Sequence, residues 1–555
     1  MKKFRKIMAL VIAMVMVVAM SMTAYADGEG EGGEGSDNPT AQQEEQVTPK
    51  TYTITMDTTS GHTYSAYQIF KGDLNEGTLS NIQWGDDVDG TALLAALKED
   101  ETYGTAFKDC ATAADVAKVI GDTYTSNSND IAAIAKIIED NKSGSGTSGT
   151  TSIADLAAGY YLVVDSTAAA SMPEGNTYSD FMLEVVKDVH VTAKDSTVES
   201  KKKVQDINDS DATPTLSELQ DSADYDIGDE IPYTLTFKLP SDYAKYDHYY
   251  VKFYDDMSKG LTYKTGSAKI AYGSNAAVAI ADPVAGNTTY DGGHMWTWEI
   301  MDLKALTLTT PLAANNVITL TYKAVLNGDA VIGSAGNPNK MQVEYSNNPN
   351  NTGDGESKPD DTGKTPIDIN IVFTYKTIFN KVQPDGDTST KPLTGADFKL
   401  EKKVNGVWVD ITTIHTGDGA INPTKTGGTT GSQFTFAGLD DGDYKLTETV
   451  TPAGFNSIDP IEFTITADHD IESDNPALKK INGSAGGTIE LVAEPKQEAT
   501  VDLTAASITS NILNQSGSIL PSTGGIGTTI FYVVGAILVI SAGIVLVTRR
   551  RMSAN

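Results

Sequence analysis

Residues 199–206 read ESKKKVQD, with Val198 just before them, and a period of two puts Lys202 on the same strand face as Val198 and Val204. Residues 341–350, MQVEYSNNPN, repeat the pattern and put Asn347 on the face of Tyr345 and Val343. A slip of one residue reverses a strand face, so Lys203 remains an alternative to Lys202. From about Ser196 onward the chain continues in this style. Strand-like runs are separated by Gly, Asn, Asp and Pro turns, with no helical periodicity, and this favours sandwiches.

Working outward, the part before Ser196 differs. TYTITM (Thr51 to Met56) alternates as a strand and HTYSAYQIFKGDL (His62 to Leu74) continues it. Helical spacing then marks Gly90 to Leu97, Ala111 to Ile120 and Ile131 to Ile138, before the strand GYYLVVD (Gly159 to Asp165). The fold class is therefore mainly β, with a mixed α/β N-terminal domain followed by tandem sandwiches. A polar stretch, Asn348 to Lys364, separates two sandwich blocks. The expected domains are 51–195, 196–365 and 366–516, which agrees with about 150 residues per domain.

Both ends carry targeting patterns. Lys2, Lys3, Arg5 and Lys6 precede an apolar run from Ile7 to Met20, and Ala24-Tyr25-Ala26 is a small-x-small site. Residues 1–26 read as a signal peptide cut between Ala26 and Asp27. Residues 27–50, rich in Gly, Glu and Gln, read as a flexible linker. Near the other end, Ile526 to Thr548 is almost free of charge and long enough for a transmembrane helix, and Arg549, Arg550 and Arg551 follow it. The positive-inside rule keeps those arginines in the cytoplasm and everything before Ile526 outside.

The chain of 555 residues has a formal net charge of −33, spread along its length. No basic patch exists to neutralise phosphates, so nucleic acid is excluded as a partner. The six histidines form no metal-spaced cluster, and no phosphate-binding glycine loop is present. No metal, no cofactor and no turnover of an external substrate are expected. Cys110 is the single cysteine and reads as a small buried hydrophobe rather than a reactive thiol, so an exported chain of this size must gain rigidity without disulfides.

Leu520-Pro521-Ser522-Thr523-Gly524, placed directly before the apolar segment and the arginines, resembles the LPXTG cell-wall sorting signal of Gram-positive bacteria, within a sorting region 517–555. The resemblance implies that a sortase thiolate attacks the Thr523 carbonyl, releases Gly524 onward and holds an acyl-enzyme until an amine resolves it. The early YQIF and the late GYYLV strand of the first domain are similar to N-terminal domains of pilin subunits.

FTYKTIFNKV (Phe373 to Val382), LTGADFKLEK (Leu393 to Lys402), DGDYKLTETVTPAGF (Asp441 to Phe455) and ITSNILN (Ile508 to Asn514) resemble a collagen-adhesin B-type domain, an immunoglobulin-like sandwich that cross-links itself. The resemblance implies Lys381 as nucleophile, Glu448 as proton carrier and Asn514 as acceptor, with Asn511 an alternative. Buried lysine loses its charge and frees its lone pair, while burial keeps a carboxyl protonated, so these types suit amide exchange. The middle block, with YVKFYDDMSKGLTY (Tyr250 to Tyr263), looks like the middle domain of backbone pilins, and there the implied set is Lys202, Asp255 and Asn347, with Asp256 an alternative.

VHVTAKDST (Val189 to Thr197) stands where major pilins carry their linking lysine, and this position implies that Lys194 attacks the acyl-enzyme on Thr523 of another subunit. Thr192-Ala193 and Asp195 depart from the usual motif. The expected function is a structural backbone pilin that supports adhesion, not an enzyme. Its expected partners are sortase, other copies of itself, accessory pilins, peptidoglycan and a host surface protein or glycan. A monomeric wall-anchored adhesin, or an accessory pilin, is the alternative.

Overall fold

A computed structural model describes residues 50–56, 61–125, 129–192, 196–286, 292–491, 493–494, 497–517 and 526–552. The expected signal peptide with Ala26 and Asp27, the linker up to Pro49, Lys194 and the motif Leu520 to Gly524 lie outside these residues.

In the first domain a five-stranded sheet contains the strands Tyr64–Asn75 and Gly159–Asp165 at its centre. One face carries Tyr67, Ile69, Phe70 and Leu162 and packs against the helices Gly90–Glu99, Gly104–Phe107, Ala113–Thr123 and Asn129–Asp140. Asp89 caps the first of these through two backbone amides, and Thr112 and Asp115 form a reciprocal capping box on the third. Cys110 is buried in this helical layer, and burial pushes its thiol pKa up. The opposite face, through Tyr64, Ala66, Tyr161 and Val163, covers a small sheet centred on Tyr52–Met56. The domain is thus mixed α/β.

The middle domain is a sandwich of two sheets. One holds Glu199–Val204 beside Glu230–Lys238 and Val317–Leu326, and the other holds Val251–Met257 beside Asn337–Ser346. Alternating burial along each strand sends Tyr233, Leu235, Phe253, Leu320 and Val343 into one core. Asp368–Phe373 pairs with Asn337–Ser346 and with Ser222–Asp224 of the middle domain, while its Ile371 and Phe373 pack into the core of the third, whose first strand is Tyr375–Pro384. The polar stretch 348–364 ends in Thr362–Lys364, which pairs with Asn337–Ser346.

The third domain is a second sandwich. Its first strand, Tyr375–Pro384, runs parallel to its last, Ser507–Leu513, with Lys381 opposite Ile512. The facing sheet contains Asp397–Val404, Gly442–Val450 and Ile461–Ile465. Beyond it Ile526–Met552 forms one helix. Among the described residues no helix is long and apolar enough to cross a membrane. The transmembrane helix expected at 526–548 therefore stands on the sequence alone.

Candidate functional site

In the third domain alternation brings three polar side chains into the apolar core. Tyr375, Thr377, Phe379 and Lys381 are the inward positions of the first strand; Tyr444, Leu446 and Glu448 are those of the Gly442–Val450 strand. Asn514 follows the last strand, and its backbone amide donates to the Val382 carbonyl at 3.0 Å. The Lys381 Nζ lies 2.5 Å from Asn514 Oδ1 and 3.0 Å from Glu448 Oε1. Asn514 Nδ2 donates to the same Glu448 oxygen at 3.2 Å.

Glu448 is held from its other side, where Oε2 accepts from Thr451 Oγ1 at 3.1 Å and from the Ile458 amide at 3.3 Å. All three reactive side chains are sealed from solvent. Burial, opposed only by Glu448, lowers the Lys381 pKa and so favours the free amine. One carboxylate oxygen touches both nitrogens, so it can take a proton from the attacking amine and hand it to the departing amide nitrogen. Asn511 is not at this centre; it is exposed and accepts from Asn380 at 3.2 Å.

The middle domain repeats the arrangement with an aspartate. Lys202 and Asp255 are both fully buried and in direct contact. Tyr322 Oη lies 3.0 Å from Lys202 Nζ and 3.0 Å from each Asp255 oxygen, and it accepts from Asn339 Nδ2 at 2.8 Å. Burial lowers the lysine pKa despite Asp255 and raises the aspartic acid pKa despite Lys202. Both shifts favour the neutral amine and the protonated acid, the pair that amide exchange needs.

Asn347 does not join this centre. Asp255 lies opposite Met341 and Val251 opposite Tyr345, which leaves Asn347 past the strand end, about 20 Å along from Met341. There its carbonyl accepts from the Tyr178 amide of the first domain. The amide that reaches the centre is Asn339, opposite Met257. Both asparagines share one strand face, and alternation fixes the face but not the position along it. Lys203 pairs instead with Asp221 at 2.6 Å, and Asp256 lies on the opposite strand face to Asp255.

Tyr322 escaped the sequence reading too. Its only sign is the alternation of VITLTYKAVL (Val317 to Leu326), which turns it inward with Ile318 and Leu320. A third buried lysine, Lys402, is electrostatically different. It lies 2.6 Å from Asp209, 2.7 Å from Asp226 and 3.1 Å from Asp440. Burial alone would lower its pKa, but Asp226 and Asp440 outweigh that and hold it well above the usual value. It is a permanent cation, not a nucleophile.

Comparison with known proteins fits this geometry. Residues 227–349, which include Asp255, Tyr322 and Asn339, match the family described as Gram-positive pilin backbone subunit 2, Cna-B-like domain. That stretch of the chain is similar to a domain of Gram-positive pilin backbone subunits. Residues 379–476 match the SpaA prealbumin-like fold domain, and residues 514–553 match the LPXTG cell wall anchor motif, which places the chain at the cell wall.

A curated relative, the trypsin-resistant surface T6 protein of Streptococcus pyogenes serotype M6, is 29% identical over 379 residues, covering 59% of this chain. The chain spans 65% of that relative's length. Among solved structures it is similar to the T6 backbone pilin of S. pyogenes, at 18% identity and a TM-score of 0.47 over 84% of this chain and 98% of that one. It is also similar to the major pilin SpaD of Corynebacterium diphtheriae, at 16% identity and a TM-score of 0.42 over 85% and 98%.

Proposed function

We propose that the chain is the backbone subunit of a sortase-assembled surface pilus, covalently polymerised, anchored to peptidoglycan and serving adhesion. The observation that carries this reading is a buried lysine–carboxyl–asparagine set in each of two successive sandwiches, one of them inside the stretch that matches the pilin backbone family.

In each centre the lysine Nζ bonds to the asparagine Cγ and the Cγ–Nδ2 bond breaks. The carboxyl passes a proton from the attacking nitrogen to the leaving one, and ammonia departs. In the third domain the product ties the first strand to the last. Tension entering at Tyr375 and leaving after Asn514 then bypasses every strand between. In the middle domain Lys202–Asn339 ties the two sheets together. These bonds supply the rigidity that a chain with one cysteine cannot draw from disulfides.

Sortase cleaves after Thr523, and Lys194 of the next subunit resolves the acyl-enzyme, so subunits join head to tail. Accessory pilins and a host surface protein or glycan complete the partner set. The test is an immunoblot of wall extracts from the native host, boiled in SDS, wild type against Lys194→Ala. A high-molecular-weight ladder that collapses to monomer in the variant is expected. A single monomer band in both overturns the reading in favour of a monomeric wall-anchored adhesin.

A further inference from the structure

We infer that the Tyr322 hydroxyl is a second proton carrier in the middle-domain centre, passing the proton of Asp255 to the leaving nitrogen of Asn339. This centre then works with four side chains where the third domain uses three. The inference rests on the cross-linking reaction proposed above and adds a catalytic residue to it.

The two centres differ in reach. In the third domain one Glu448 oxygen lies 3.0 Å from the Lys381 Nζ and accepts from the Asn514 Nδ2 at 3.2 Å, so the acid touches both nitrogens itself. Aspartate is one methylene shorter, about 1.5 Å less of side chain. In the middle domain the Asn339 Nδ2 donates to Tyr322 Oη at 2.8 Å, and the Lys202 Nζ donates to the same oxygen at 3.0 Å. Tyr322 in turn donates to Asp255, whose two oxygens are each 3.0 Å away. One hydroxyl thus joins attacking nitrogen, acid and leaving nitrogen, and its single hydrogen and both lone pairs are used. The ring near the Lys381 Nζ is instead Phe398, 5.1 Å away, which has no proton to give.

Amide exchange reverses one of these hydrogen bonds. In the planar Asn339 amide the nitrogen lone pair is delocalised, so Nδ2 only donates. Once the Lys202 Nζ has bonded to Cγ, the carbon is tetrahedral and the lone pair is localised on Nδ2, which becomes an acceptor. Tyr322 then gives its proton to Nδ2 and takes the Asp255 proton, while Asp255 takes one from Nζ. The Cγ–Nδ2 bond breaks, ammonia leaves, and Asp255 and Tyr322 end as they began. Burial holds the Tyr322 pKa well above the usual value, so the phenol keeps the proton it must give. Asn339 is also among the groups that oppose the rise in the Asp255 pKa, so direct transfer from Asp255 is the competing route.

The test follows the full-length chain, made by cell-free synthesis in detergent and sampled over time. Tandem mass spectrometry quantifies the Lys202–Asn339 and Lys381–Asn514 branched peptides in the same sample. Tyr322→Phe is expected to slow the first bond roughly hundredfold and to leave the second unchanged. The control Tyr263→Phe, which removes a hydroxyl that serves Asp282 at 2.7 Å, leaves both unchanged. Asp255→Glu added to Tyr322→Phe should recover roughly tenfold, because the longer acid reaches Nδ2 itself. A wild-type rate in Tyr322→Phe overturns the inference in favour of direct transfer, and slowing that Asp255→Glu does not relieve overturns it in favour of a packing role. Should Tyr322→Phe fail to fold, 3-fluorotyrosine in place of Tyr322 keeps the hydroxyl and makes it more acidic; the first bond should then form at a rate changed severalfold, and an unchanged rate overturns the inference. A wild-type chain that forms Lys381–Asn514 but never Lys202–Asn339 overturns the cross-linking reading of the middle domain, and the inference with it.

Discussion

Glu448→Gln keeps the shape of the side chain but removes the group that relays the proton between Lys381 and Asn514. Both nitrogens stay in place, so the expected effect is chemical: the third domain no longer loses ammonia, and with the ~1 Da that Glu→Gln itself removes the chain is about 16 Da heavier than wild type. The stability change follows from loop closure. The cross-link joins positions 133 residues apart. The chain-entropy relation gives about 5 kcal/mol for a closed loop of that size. At the roughly 2–4 °C per kcal/mol usual for domains of this length, the third-domain transition should fall by about 10–20 °C. Intact-mass spectrometry and scanning calorimetry on the same sample read both effects. Retention of the full mass deficit refutes Glu448 as proton carrier. Loss of the deficit with no fall in the transition refutes the entropic argument instead.

Three further outcomes are expected. Asn339→Ala should abolish the ammonia loss of the middle domain and Asn347→Ala should leave it intact, as read by intact mass. Tyr322→Phe removes a hydroxyl that touches Lys202, Asp255 and Asn339, so the middle-domain deficit should develop roughly a hundredfold more slowly in mass spectra taken over time. Asp180, at the junction of the first and middle domains, is pushed up to about 7 by burial and then by Glu139. Its folded state therefore binds a proton that the unfolded chain releases near pH 4. Stability of that junction should fall as pH rises from about 4 to 7, and Asp180→Asn should flatten the slope in thermal melts across that range.

The sandwich architecture and both lysines were legible because a two-residue period assigns each strand face, and a one-residue error would have exposed Val204 or Phe379. Position along a strand was not legible. Asn339 and Asn347 share a face and lie about 26 Å apart, and only the pairing of Met257 with Asn339 selects between them. The third domain escaped that ambiguity because Asn514 ends its strand, directly beside the partner strand of Lys381. The polar composition of 348–364 marks a loop without saying which sheet its far end joins. The acidic set around Lys402 left no local mark at all. Asp226 and Asp440 are 214 residues apart and meet only when two domains dock.

The measurement that tests the account most directly is tandem mass spectrometry of the exported chain after proteolysis. The account predicts two branched peptides, Lys202 joined to Asn339 and Lys381 joined to Asn514, and an intact mass about 34 Da below that of the unlinked mature chain. Unbranched peptides covering all four residues, with the full unlinked mass, would contradict it.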